Sequence, residues 1–547
     1  MLDSPSRTSI NNVPPKSAIL YQSQCKAVFV IDIPTSIRLA QSIPPCIPAQ
    51  EEAMVAPAAL FSAPALTQPY PTPPEPKGEK ARDRVLDRIP VGQREFFEAI
   101  TPVVSAALED VRCNFVREKE GWWWWCLPRR VYRGQQQRRG EGLDDSMDVE
   151  DGLLRAGFGR ETSGIIDHAD KGFARKRKGD VKLEERNAEH KESGEDDQDD
   201  QEPELGFQDY YQPFPSGDFP ERIPPFILCP GINHVPNLGI LQNTIVKNPW
   251  DEPSILCIKS CAGPTETQSK KSPGKRLSRT TDVTSSNDYI RVHIPPKSSF
   301  LLSRFPANPT PPISTSNLSI IPHLAPGQKF DFILFDPPWP NTSAKRTAHY
   351  ETKISFPALQ VLIESVLKIH LQQQVGIAAI WITNAAKSRQ AAYEAMEAAD
   401  LLPFEEWVWV KTTVEGEPVF PVDGLWRKPY EVLVLGRKMR RGKGGGKVTS
   451  KRNHGLEEIK RRVIFAVPDL HSRKPCLKEI VERVFFGGVA DSNTVPAEST
   501  WSGGERSGGS GEYSALEVFA RNLTAGWWAC GDEVLRFNWD GWWTDDT

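Results

Sequence analysis

An α/β fold is predicted for residues 289–547 of this 547-residue chain, built as one sheet covered by helices on both faces. Short apolar runs of strand length alternate there with longer segments of helical period, the pattern of a sheet with helical crossovers. One such run, Phe330–Phe335, ends abruptly in a Pro-Pro breaker, as a buried strand does when it reaches a sheet edge. The N-terminal half lacks this alternation. Pro, Gly, Ser and charged residues crowd it, and such segments bury too little apolar surface to offset the entropy of ordering.

Residues 1–82 read as a flexible tail, because 14 prolines fall within the first 80 positions. Residues 83–134 form a helical segment. Val91, Phe96, Phe97, Ile100, Val103, Val104, Leu108, Val111 and Phe115 recur at helical spacing there, with a division or kink expected at Pro102. The run Trp122–Trp125 reads as a buried strand or an anchor between domains, with base stacking as the alternative. Residues 135–205 are a charged linker, and 206–288 an auxiliary domain with a Ser/Thr/Lys-rich loop at 264–287. In the C-terminal part, helices are expected over Phe356–Leu371 and Ala385–Ala399. Strands are expected at Phe330–Phe335, Ile377–Ile382, Glu406–Lys411, Glu431–Gly436, Val463–Val467 and Leu516–Phe519. Two insertions interrupt the pattern, at 438–462 and 487–511.

A net charge of -4 says nothing about partners by itself. Its distribution is more useful, with an acidic stretch from Glu141 to Glu204 and a basic cluster at Arg175–Lys178. Between Arg437 and Arg462, eleven Lys or Arg face only Glu457 and Glu458, which suits phosphate contacts without base specificity. Nine scattered cysteines, with Cys257 and Cys261 the closest pair and no matching second pair, read as reduced thiols rather than a disulfide framework or zinc site. No metal is expected. No apolar run approaches a membrane span, and the N-terminus lacks a secretory pattern.

The chemistry lies in Asp336-Pro337-Pro338-Trp339, directly after the strand Phe330–Phe335. Ligands of α/β sheets bind beyond the carboxyl ends of strands. An adenine amino group is a poor nucleophile, because its lone pair is delocalised into the ring. Methylating it requires acceptors for the amine hydrogens. Asp336 supplies a carboxylate, Pro337 a main-chain carbonyl in a stiffened turn, and Trp339 a flat face for the base. A plain turn is the competing reading of four such residues. It remains the better one for Asn248-Pro249-Trp250, which lacks the second proline.

The wider context resembles the MT-A-seventy family of adenine methyltransferases, in the branch of methyltransferase-like protein four. The matching segments, in the family's order, are Ile294–Ser303, Phe335–Arg346, Trp407–Lys411, Lys428–Glu431, Leu470–Pro475, Phe519–Asn522 and Gly531–Glu533. The resemblance implies a Rossmann-like methyltransferase sheet in permuted order and S-adenosylmethionine as cofactor. It implies cofactor contacts at Lys474, Arg521, Asn522, Asp532 and Glu533. Lys345, Arg346 and Tyr350 fall in a segment similar to a gate loop over the substrate, and Lys428, Tyr430 and Glu431 in a second. Arg304, Arg473 and Asp532 depart from the family's pattern, where an acidic residue, a histidine and an amide are usual.

The function expected is methylation of adenine in nucleic acid, with an adenosine of a nuclear small RNA as the substrate. DNA adenine methylation and an inactive nucleic-acid-binding subunit are the alternatives. An intact Asp336–Trp339 with Lys474 argues against the inactive subunit. A small-molecule or protein methyltransferase fits less well beside basic loops. The Arg175–Lys178 cluster reads as an import signal and places the protein in the nucleus.

Overall fold

In the sheet, alternate residues along each strand are sorted to two faces, and both faces are covered. The computed structural model describes residues 15–43, 59–72, 75–76, 78–115, 125–131, 223–259, 289–306, 319–340, 354–425, 427–438, 459–470, 473–487 and 513–544. In chain order, β1 (Ile19–Gln22) and β2 (Val28–Ile31) form a hairpin that leads into α1 (Ile33–Leu39). The short β3 (Ala59–Leu60) precedes α2 (Glu79–Leu86) and α3 (Val91–Asn114). Then come β4 (Phe226–Ile227), β5 (Gly231–Val235), β6 (Ile245–Lys247), β7 (Ser254–Lys259), β8 (Tyr289–Ile294) and β9 (Ser299–Leu302). The Asp-Pro-Pro-Trp motif follows β10 (Phe332–Phe335). Next are α4 (Phe356–His370), β11 (Ile377–Ile382), α5 (Ala386–Ala398), β12 (Leu401–Lys411), β13 (Tyr430–Lys438) and β14 (Lys460–Ala466). The chain ends with α6 (Lys478–Val481), β15 (Ala515–Val518), β16 (Trp528–Gly531) and β17 (Trp543–Thr544).

Among the described residues the main sheet has twelve strands, in the order β1-β2-β14-β12-β13-β11-β10-β15-β16-β9-β6-β4. Its centre is parallel from β11 through β10, β15 and β16 to β9, while β13 runs antiparallel to both β11 and β12. One face packs Ile333, Phe335, Ile380, Val408 and Val434 under α3, α4 and α5. The other packs Phe332, Leu334, Trp381, Trp407 and Ile464 against α1, α6 and the C-terminal Phe537 and Trp542. The parallel strands are therefore apolar throughout, as burial on both faces requires.

Three expectations are corrected. Residues 15–43 do not belong to a tail. Val28, Phe29, Val30 and Ile31 are buried, and β2 pairs in parallel with β14, so the hairpin extends the main sheet. Ala27–Ile31 is apolar and β-branched, and the prolines that suggested disorder flank it. Nor is 206–288 a separate domain from 289 onward. Strand β6 pairs with β9, and Leu228, Val246 and Leu256 share one cluster with Phe300, Leu523 and Val534. Finally, the basic insertion is shorter than 438–462, because β13 reaches Lys438 and β14 begins at Lys460. Arg461 and Arg462 there bind the buried Glu406 and Glu405, so they are consumed within the fold. Residues 439–458 and 488–512, the linker 135–205, the loop 264–287 and the cluster Arg175–Lys178 lie outside the described residues.

Pro102 lies inside a continuous α3 rather than dividing it. Trp125, the described member of the tryptophan run, is 4% exposed and meets Phe465 edge-on at 5.4 Å. It also closes on Gly416, where an added Cβ would come within 2.1 Å of its ring. Gly416 has φ +84 as well, so glycine is required there on both counts.

Asp32 ties the hairpin to the rest of the fold. Its carboxylate caps α1 by accepting from Thr35 N at 3.1 Å and also accepts from Leu127 N at 3.0 Å. Burial pushes its pKa up, against those bonds. Asp32→Ala is expected to cost about 0.5–2 kcal/mol, the usual range for losing a cap. Urea unfolding should show the midpoint fall while Asp32→Asn retains most of the stability. An unchanged midpoint in the alanine variant would disprove the capping role.

Candidate active site

Strand β10 delivers Asp336 to the edge of the sheet, where its own N–H donates to Val518 O of β15 at 3.1 Å. The two prolines turn the chain, and Trp339 N donates to Pro337 O at 2.8 Å. Trp339 is fixed by its indole N–H, which donates to Trp381 O at 2.7 Å, and by stacking on Phe356 at 5.8 Å. Carboxylate, turn carbonyl and flat ring thus share one strand end, held by β11, β15 and the start of α4.

Charge alternates across this edge. Lys474 donates to Asp336 Oδ1 at 2.6 Å and lies 3.4 Å from Glu431 Oε2. The other oxygen of Glu431 is 2.8 Å from Lys411 Nζ. Because β13 is antiparallel, its first residues reach the same edge at which β10, β11 and β12 end. The indoles of Trp381 and Trp409 lie 5.5 and 5.0 Å below the ammoniums of Lys474 and Lys411. Burial alone would raise the Glu431 pKa, but the two ammoniums bring it down to about 2. For Lys474, burial pulls downward and is outweighed by Asp336 and Glu431, so its pKa is raised and it stays charged.

A cleft beside these groups is lined by Asp336, Trp381, Lys474, Glu517, Arg521 and Asn522. Glu517 lies on β15 opposite Leu334. Burial, and then the neighbouring Asp336, push its pKa to about 8, with Lys474 opposing. A carboxyl held that high can donate a hydrogen bond as well as accept one.

The sequence-derived site residues divide into groups. Asp336, Lys474, Arg521 and Asn522 line one cleft, and Glu431 joins them through Lys474. Glu533 supports this group from behind, with its oxygens 3.0 Å from Arg521 Nε and 2.9 Å from Arg536 Nη1. Asp532 points to Arg304 at 3.7 Å, so two departures from the family's pattern form a single ion pair. Tyr430 is buried in the core, and Lys428 donates to Val422 O with its ammonium 4.7 Å from the Phe97 ring. Neither lines the cleft. Lys345, Arg346 and Tyr350 lie outside the described residues. Asn248 is spent on main-chain carbonyls, including Pro295 O at 3.0 Å, so Asn248-Pro249-Trp250 is a structural turn.

Sequence reasoning missed Glu517, Lys411 and Trp381. Glu517 did leave a signal, since a carboxyl inside the apolar run Ala515–Val518 is costly unless it has a task. Lys411 closed the matching segment Trp407–Lys411 but was given no role, and Trp381 left no signal. Their roles follow from strands that meet only in the fold.

A mixed α/β sheet with an Asp-Pro-Pro-Trp strand end is consistent with a methyltransferase fold. Residues 330–495 match the family model MT-A70. The chain is 34% identical over 226 residues to N6-methyladenosine RNA methyltransferase MTA1 of Cryphonectria parasitica, which covers 40% of this chain and 55% of that protein. It is 32% identical over 250 residues to N(6)-adenine-specific methyltransferase METTL4 of Homo sapiens, covering 45% and 43%. It is also 30% identical over 155 residues to a DNA N6-methyl methyltransferase of Caenorhabditis elegans, covering 28% and 38%. The MT-A70 match falls within residues 330–495, and MTA1 and METTL4 proteins are among the relatives this chain resembles. Its matches span about half the length of these relatives or less.

Proposed function

We propose that this chain is an S-adenosylmethionine-dependent methyltransferase that modifies the exocyclic amine of adenine in nucleic acid, with an adenosine of a nuclear small RNA as its substrate. The observation that carries the reading is Asp336 at the end of β10, aimed into a cleft it shares with a fixed cation, Lys474. The strand arrangement supports the permuted methyltransferase reading. Catalytic β10 precedes β15 in the chain, lies parallel beside it, and β15 leads into Arg521 and Asn522.

The donor set fits the cofactor. Lys474 offers an ammonium for a carboxylate, and Arg521, Asn522 and Glu517 offer partners for hydroxyls and ring nitrogens. When bound, S-adenosylmethionine supplies an electrophilic methyl group. The protein's own part is positioning and electrostatics. Asp336 and Pro337 O accept the amine hydrogens, which returns electron density to the nitrogen, and Trp339 presents its ring to the base. No covalent enzyme intermediate is needed.

Access favours RNA. A base must leave any duplex to reach Trp339, and unstacking costs a few kcal/mol. An unpaired RNA adenosine avoids most of that cost and presents a 2′-hydroxyl for discrimination. The names of the fungal relatives support RNA, while that of the nematode relative favours DNA as the second reading. Matched RNA and DNA oligonucleotides with one adenine context should be methylated faster as RNA. Faster methylation of the DNA strand would overturn the RNA preference alone. Nuclear residence rests on Arg175–Lys178 and is tested by imaging a tagged chain.

A further inference from the structure

We infer that the N-terminal half supports the cofactor site from behind by clamping the segment that carries Lys474, with Arg129 and Ser36 as positioning residues. This rests on the cofactor reading above. Lys474 follows Arg473, whose side chain is 1% exposed. Arg473 Nη1 donates to Asp469 Oδ2 and to Phe61 O, both at 2.8 Å. Its guanidinium also lies 4.4 Å from the ring centre of Phe537 and 5.0 Å from that of Trp542. Arg129 closes the other side of Asp469, at 3.9 Å from Oδ1. It donates to Pro468 O and Val467 O at 2.7 Å each, and to Ala63 O at 3.2 Å. Ala63 N donates to Asp469 Oδ1 at 2.8 Å. On the far side of Lys474, Cys476 N donates to Ser36 Oγ of α1 at 3.0 Å.

The residues flanking Lys474 on both sides are therefore held by groups more than 300 positions away. The Arg129–Asp469–Arg473 cluster is buried, and apolar residues of similar volume would often serve stability as well. Arg129 in addition fixes the main chain at Val467 and Pro468, a few positions before Lys474. The Lys474 ammonium lies 2.6 Å from Asp336, and a shift of about 1 Å at such a group can cost a hundredfold in function. The cluster acts through Lys474. Neither Arg129 nor Ser36 lines the cleft.

The test is a double-mutant cycle on the full chain, with S-adenosylmethionine binding read by calorimetry and folding by thermal melting. Arg129→Met and Lys474→Ala are each expected to weaken binding at least tenfold. Because both act through the same ammonium, the double variant should bind within about twofold of the weaker single variant. Arg129→Lys should recover part of the loss, and affinity for an adenine-containing RNA should stay within twofold. If Arg129→Met does not fold, Ser36→Ala takes its place in the cycle, with a smaller loss expected but again none on top of Lys474→Ala. An unchanged dissociation constant in a folded variant, or losses that multiply in the double variant, overturns the clamp and leaves the cofactor reading standing. If the unaltered chain does not bind S-adenosylmethionine, the cofactor reading fails, and the clamp with it.

Discussion

Alanine in place of Asp336 is expected to lower methyl transfer by about a hundredfold or more, the usual cost of removing one preorganised group that meets developing charge. The amine nitrogen becomes nucleophilic only as its hydrogens are drawn to acceptors, and Asp336 is the charged acceptor at the end of β10. Asp336→Asn should be nearly as damaging, because half of its amide presents hydrogens to an amine that already has them. Cofactor binding should change far less. Lys474 loses its contact at 2.6 Å but keeps Glu431 at 3.4 Å, so the ammonium remains anchored in the cleft. Single-turnover transfer of a labelled methyl group would measure the first effect, and calorimetry the second. Turnover close to that of the unaltered chain would remove Asp336 from the chemistry.

The parts of this fold legible in the sequence are those fixed by local pattern. The run Phe332–Phe335 with its Pro-Pro breaker, the stripe of Leu359, Leu362, Ile363, Val366 and Leu367 on α4, and the all-apolar β11 each carry their period within a dozen residues. Averaging hid the β1–β2 hairpin. Fourteen prolines spread over 80 positions read as a tail, although Ala27–Ile31 contains none. A closer reading would have found Asp32 with Pro34 just after it, a helix-start signature following a run of strand formers. The auxiliary segment misled for the opposite reason. Its strands look self-contained in sequence, and only the pairing of β6 with β9 merges it into the main sheet. Within the site, Asp336 and Lys474 were legible because each lies in a distinctive motif. Their mutual contact was not, since 138 positions separate them. Lys428 and Tyr430 illustrate the reverse. Their motif suggested a substrate loop, but the Tyr430 phenol is buried and the Lys428 ammonium lies against the Phe97 ring, so neither lines the cleft.

Replacing Lys474 with methionine is expected to weaken S-adenosylmethionine binding by about 10- to 150-fold, the range for a charge-assisted contact of about 1.5–3 kcal/mol. Methionine keeps much of the stem that lies over Trp381, so the change isolates the charge. The same substitution leaves Asp336 and Glu431 without the cation they share. Glu431 titrates near 2 in the folded protein against an ordinary 4.5, so its carboxylate contributes stability above about pH 4.5 and loses it as pH falls toward 2. With Lys411 as the remaining ammonium, its pKa should rise and that acid window should narrow. From the other partner, Lys474 has a raised pKa, so its contribution is complete below its ordinary 10.5 and fades as pH rises above it. The stability difference between the unaltered chain and Lys474→Met should therefore be largest between about pH 5 and 10 and shrink at both ends. Denaturant unfolding across that range checks the sign, and calorimetry at neutral pH checks the affinity. A stability difference independent of pH would show that the ion pair does not operate in solution. An unchanged dissociation constant would rule out Lys474 as the residue that meets the cofactor's carboxylate.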